Sequence, residues 1–275
     1  MEMILRLTNL LMSKSVRFRS MVRRNRVKKA KRVVLGKQYL PKPYKRIYHV
    51  HIRKSAGTSF NSLFLAQAHL TLDEFWREPV YIKNGKVFVQ HQKLYIDQGN
   101  YYFASSHCAL WQLDLPKDTF TFTILRDPYD RLVSLYKNYV WATQVSPEIG
   151  ALQDPSYFVL LTQKFLLNKT FGEFIKVLSN KYLTNQLYTF SENLKVEEAM
   201  ENLSKLTRVY FMDNMEYAVS DLTKSLGLEK NEMKKHRVFE DVHFEISAEE
   251  EKEAREMLAD EYLFYTQAKA EYGTN

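Results

Sequence analysis

The chain has 275 residues, a formal net charge of +8 and 14% aromatic residues, with only 8 glycines and 7 prolines. That length and composition exclude a disordered or fibrous polymer and suit one large domain or two small ones, with a sizeable core. A single cysteine, Cys108, excludes an intrachain disulfide and removes the usual thiolates of a structural zinc site.

The charge is unevenly spread. Residues 1–46 hold 15 Lys+Arg against one acid, Glu2, while the remainder has 25 basic and 31 acidic residues, a net of −6. A nucleic-acid-binding module carries its positive charge on the folded body, so no nucleic-acid partner is expected. No run reaches the roughly 20 apolar residues of a spanning helix. "MILRLTNLLM" is broken by Arg6 and has no small-residue cleavage site behind it. With so little cysteine, a reducing, cytoplasmic setting is expected, the Golgi being the alternative.

In chain order, the first element is an arm over residues 1–45. Ile4, Leu7, Leu11, Phe18 and Val22 recur at spacings of three, four or seven, and Arg17, Arg19, Arg23, Arg24 and Arg26 cluster beside the last two. This pattern predicts a basic, weakly amphipathic helix, which serves as a solvated or body-packed tail or docks on an anionic membrane or partner. "YLPKPYK" (39–45) breaks any helix with two prolines, so the body is expected over 46–275.

Within the body, "RIYHVHI" reads as a strand and "SFNSLFLAQAHL" as a helix. "KVFVQH", "NYYFASSH" and "TFTFTIL" read as strands, and "DPYDRLVSLYKNYVWA" as a helix. Helices are then expected around 156–168, 170–180, 196–205, 213–226 and 248–271, interrupted by a strand at "TRVYFM". Strands alternating with helices define an α/β domain with a central parallel sheet, here with a helix-rich C-terminal part.

Between the first strand and its helix lies a loop of Lys54, Ser55, Ala56, Gly57, Thr58 and Ser59. Small residues let backbone N–H groups converge, and the helix start, Lys54 and the hydroxyls add positive charge and donors. Such a loop either cradles a phosphate-type anion or is an ordinary turn capped by Ser or Thr. It is not a G-x-x-x-x-G-K-[ST] loop, because Lys54 precedes Gly57, so an ordinary NTPase or nucleotide kinase is disfavoured.

The second candidate is "FTILRDPYDRLVSLYKNY" (122–139), whose strand carries Arg126 to the sheet edge where ligands bind in open α/β folds. Asp127 suits the N-cap, Pro128 the first helical position and Asp130 the acid of a capping box. Ser134 falls two turns into the helix. A guanidinium with a hydroxyl suits a phosphate. The competing arrangement pairs Arg126 with Asp127 or Asp130.

The two stretches in this order resemble the cofactor motifs of the sulfotransferases, most of all the Golgi-type carbohydrate enzymes and their bacterial relatives. The resemblance covers about 47–272 and includes "FASSHCALW", "TNQLYTF" and "VYFMDNMEYAVSDLTKSLGL". It departs from the family pattern at Arg53, where a proline is usual, and at Ser55-Ala56, where Thr-Gly is usual. The resemblance implies a P-loop-like sheet and transfer of a sulfuryl group from 3′-phosphoadenosine 5′-phosphosulfate (PAPS) to a hydroxyl, without a metal. It implies that the loop of Arg53, Lys54, Ser55, Ala56, Gly57, Thr58 and Ser59 holds the 5′-phosphosulfate, and that Arg126 and Ser134 hold the 3′-phosphate.

Transfer to a hydroxyl needs a charge stabiliser, Lys54, and a base. Of seven histidines, His107 follows a strand end and matches the histidine base of the uronic-acid 2-O-sulfotransferase branch. Glu74 and His91 are the rival bases, and Asn185 and Gln186 either line the site or form a polar pair at a helix end. The expected acceptor is a glycan or glycolipid. The alternative is a nucleotide-binding scaffold or a basic-arm binding protein that transfers nothing.

Overall fold

The computed structural model describes residue 25 and residues 28–33, 38–145, 161–229 and 242–273. The expectations for Ile4 to Arg26 lie outside these residues, as does the 156–160 start of the helix expected at 156–168, whose described part forms a 3-10 helix at Leu161–Leu166. Residues 28–33 are helical, and Ala30 is buried in the same cluster as Tyr48 and Val50. This piece of the arm therefore packs on the body.

The body begins with β1 (Arg46–Val50), α1 (Gly57–Ala66), α2 (Leu72–Arg77), β2 (Val80–Lys83), β3 (Lys86–Gln90), α3 (Lys93–Asp97) and β4 (Phe103–Ser106). It continues through β5 (Thr119–Leu125), α4 (Pro128–Val145), α5 (Phe171–Val177), α6 (Asn180–Leu183), α7 (Asn185–Phe190) and α8 (Val196–Ser204). It ends with β6 (Arg208–Phe211), α9 (Met215–Leu226), α10 (Ala248–Met257) and α11 (Ala259–Tyr272). Six strands form one sheet in the order β2-β3-β4-β1-β5-β6, all parallel except the β2–β3 pair. The α/β class with helices on both faces is therefore present, with one antiparallel strand at an edge.

Alternation along the strands builds two cores. Phe120, Phe122 and Ile124 of β5 join Ile47, Phe60, Phe64, Phe103 and Leu222 on one face. Tyr48, Val50, Ala104 and Leu125 join Leu187, Phe190, Leu203 and Phe264 on the other. The threonines of β5 are accommodated because buried hydroxyls find partners; Thr123 Oγ1 donates to the Val50 carbonyl at 2.9 Å.

Several elements differ from expectation: α2, α3, α6 and α7 were not anticipated, and neither was β2. β2 joins β3 through Asn84-Gly85, with φ of 48° and 74°, the left-handed pair that a two-residue hairpin turn requires. The helix expected over 248–271 is broken at Leu258, which turns fully buried into a cluster with Leu132, Phe174 and Ala254. Packing, with no glycine or proline, makes that break.

Parallel registry sets the site. Val50 aligns with Ser106 of β4 and with Thr123 of β5. The residues that follow these strands, Ile52 to Ser59, His107 and Arg126, therefore emerge together at one sheet edge.

Candidate active site

The β1–α1 loop holds Lys54 and Ala56 in the left-handed region, with φ of 67° and 56°. Left-handed residues on either side of Ser55 suit an anion nest, in which successive N–H groups turn to one side. Ala56 occupies the N-cap and no side chain caps the helix, so the turn is not the Ser/Thr-capped kind. Gly57 is required at its place: an added Cβ would lie inside the His51 imidazole. Ser55 is only 1% exposed, yet its Oγ has no hydrogen-bond partner. Thr58 and Ser59 are buried beside it.

Arg53 lies over the Tyr182 ring at 5.2 Å, and its buried Nε is likewise unpartnered. Burial weighs against its charge and lowers its pKa, with the nearby Tyr182 and Tyr139 acting the other way. Unsatisfied buried donors in a native fold call for a ligand or another explanation.

Arg126 joins this loop directly, donating from Nη1 to the Lys54 carbonyl at 3.1 Å. Its guanidinium is half-buried, and burial lowers its pKa despite Asp130 and Asp127. The surface pairing with those acids is not formed. Asp127 instead accepts from the Asp130 N–H at 3.0 Å, as the expected N-cap, and from the Tyr262 hydroxyl at 3.1 Å. Pro128 opens α4 and Ser134 is half-buried two turns further along it.

The second arginine of the motif, Arg131, has a different place. Its side chain is fully buried, paired with Glu261 at 3.1 Å and donating to the Tyr182 carbonyl at 3.2 Å and to that of Leu183. It cannot reach a ligand.

His107 is half-buried just past β4. Its Nδ1 lies 2.7 Å from the His51 carbonyl. A carbonyl only accepts, so Nδ1 carries the hydrogen and Nε2 presents a lone pair. Burial first, then the charges of Arg53, His51 and His91, hold its pKa well below that of ordinary histidine. The His51 and His107 rings lie 4.3 Å apart, and exposed His91 stacks on His107 at 5.2 Å.

Glu74 is engaged elsewhere. Its carboxylate accepts from the Thr71 N–H at 2.9 Å and from Lys83 Nζ at 2.9 and 3.0 Å, within a capping box for α2. The Thr71 N–H, followed by Lys83, lowers its pKa, which makes it a poor base. Asn185 and Gln186 are 5% and 0% exposed, so they stand behind the site and do not line it. Sequence reasoning gave no means of seeing the Arg131–Glu261 pair, whose members lie 130 residues apart.

Among the described residues, no group of three or more His, Cys, Asp or Glu side chains could hold a metal ion. No described helix is long and apolar enough to cross a membrane. What the edge offers is an anion cradle of backbone donors, cations and hydroxyls, flanked by a neutral imidazole. The sulfotransferase family model matches residues 37–265, and the chain belongs to that family. No curated protein matches the chain.

Proposed function

We propose that this protein transfers a sulfuryl group from PAPS to a hydroxyl of a glycan or glycolipid. The observation that carries the reading is the unsatisfied, buried cradle. Ser55 Oγ and Arg53 Nε lack partners, and the Arg126 guanidinium touches the loop that contains them. These residues fit the donor: the 53–59 loop would hold its 5′-phosphosulfate, and Arg126 with Ser134 its 3′-phosphate. When bound, PAPS supplies an activated sulfuryl group.

The chain's own groups complete the chemistry. His107 Nε2 takes the proton of the acceptor hydroxyl as its oxygen bonds to sulfur. The S–O bond to the nucleotide phosphate breaks, and the negative charge left there is met by Lys54 and the N-terminus of α1. The step resembles phosphoryl transfer, in which positioning and charge stabilisation do most of the work. Resemblance to the carbohydrate enzymes supports a sugar hydroxyl as acceptor, and the basic arm supports one presented at an anionic surface.

Calorimetric titration with 3′-phosphoadenosine 5′-phosphate (PAP), the donor product, tests the reading. The wild type should bind it well above ATP, and Lys54→Ala and Arg126→Ala should each weaken binding about 10- to 100-fold. A folded wild type that does not bind PAP sinks the proposal in favour of a scaffold without sulfotransfer.

A further inference from the structure

Two side chains that never reach the ligand face hold the main chains of both anion loops. Asn185 Oδ1 accepts the Arg53 N–H at 2.9 Å, at the root of the 53–59 loop. Its Nδ2 is tied to the Lys181 carbonyl at 2.7 Å, which fixes the amide's orientation. Gln186, the next residue, grips Arg126 at two points. Its Oε1 accepts the Arg126 N–H at 2.9 Å and its Nε2 donates to the Arg126 carbonyl at 2.9 Å.

The turn that carries this pair is itself anchored. The Gln186 N–H donates to Glu261 Oε1 at 2.6 Å, and Glu261 Oε2 pairs with Arg131 at 3.1 Å. Arg131 returns to the same turn through the Tyr182 and Leu183 carbonyls. The circuit runs from Arg126 to Gln186, Glu261 and Arg131, and back along the first turn of α4 to Arg126.

We propose that Asn185 and Gln186 are positioning residues with separate charges, Asn185 setting the 5′ loop and Gln186 setting Arg126 for the 3′-phosphate. The inference rests on the PAPS reading above. A side chain that fixes φ and ψ at the base of a guanidinium or a nest fixes where those donors point. A small misplacement there costs much of the ligand's binding. A polar pair that merely finished a helix end would have no reason to divide its contacts between two ligand loops.

The division gives the test. PAP and 5′-AMP share the 5′-phosphate, and only PAP has the 3′-phosphate. Affinities are measured by calorimetry, with AMP read by displacement of PAP, and folding is checked by urea midpoint. Gln186→Ala should lower PAP affinity about tenfold or more and leave AMP within about twofold. Asn185→Ala should lower both ligands by a similar factor. Gln186→Glu, which keeps an acceptor for the Arg126 N–H and loses the amide donor, should fall between, and it substitutes if the alanine variant does not fold. Equal losses for both ligands in both variants, or no loss in either, overturn the proposal. A wild type that binds PAP no better than AMP defeats the donor reading itself and this inference with it.

Discussion

The His51 carbonyl accepts from His107 Nδ1, so the proposed base enters the reaction already in the tautomer it needs. Its lowered pKa, caused by burial and by Arg53, keeps it unprotonated at neutral pH. Because the base form survives to lower pH, the acidic limb of the transfer rate should lie below about 6.5, the value for an unperturbed histidine. A pH–rate profile of the wild type checks this. His107→Ala should lose the limb and about 10²- to 10⁴-fold in rate while PAP affinity holds. A limb at or above the ordinary histidine value would assign the proton transfer to another group. Arg53 contributes at this scale too, since a cation beside the imidazole opposes its protonation in a place where a proline would not.

At the scale of elements, the capping box of α2 separates two of the three candidate bases, His107 and Glu74, in three dimensions. Thr71-x-x-Glu74 has the spacing of a helix start, and Glu74 spends its oxygens on Thr71 and Lys83. Glu74→Ala should therefore cost about 1 kcal/mol of stability, by urea denaturation, and change the transfer rate less than about twofold. A rate collapse with PAP binding intact would restore it as the base.

β5 at Thr119–Leu125 and Pro128 at the start of α4 were legible in the sequence, whereas the Thr71-x-x-Glu74 box, equally local, went unread. These follow from local rules of alternation and helix initiation. Asn84-Gly85 also carried a local signal, the hairpin turn, and reading it would have placed β2. The roles of Arg131, Asn185 and Gln186 were not legible. Their partners are main-chain atoms and one carboxylate far away in sequence, and a motif spelling cannot distinguish an arginine that meets phosphate from one buried behind it.

At the scale of the whole molecule, the sheet core includes a titratable ring. His49 is buried on β1, stacked on Phe122 at 4.5 Å and bonded to Asn61 at 2.8 Å. Burial lowers its pKa to about 4. The unfolded chain, with an ordinary histidine near 6.5, then binds more protons than the folded one between those values. Stability is full above about pH 6.5 and falls as the pH drops toward 4, by about 2 kcal/mol between pH 7 and pH 5 from this group. Urea unfolding at both pH values should reveal the loss, and His49→Gln should reduce it. An equal loss in both proteins would move the effect to other groups.

The order β4-β1-β5 has a consequence for traffic. His107, the 53–59 loop and Arg126 leave three neighbouring strands, so they stand in a row about two strand spacings, or about 10 Å, long. Under the proposed function, the nucleotide's far phosphate would lie at one end of that row and the incoming alcohol at the other. On that reading each guest would arrive and depart at its own end, and initial-rate kinetics should show no fixed order of binding.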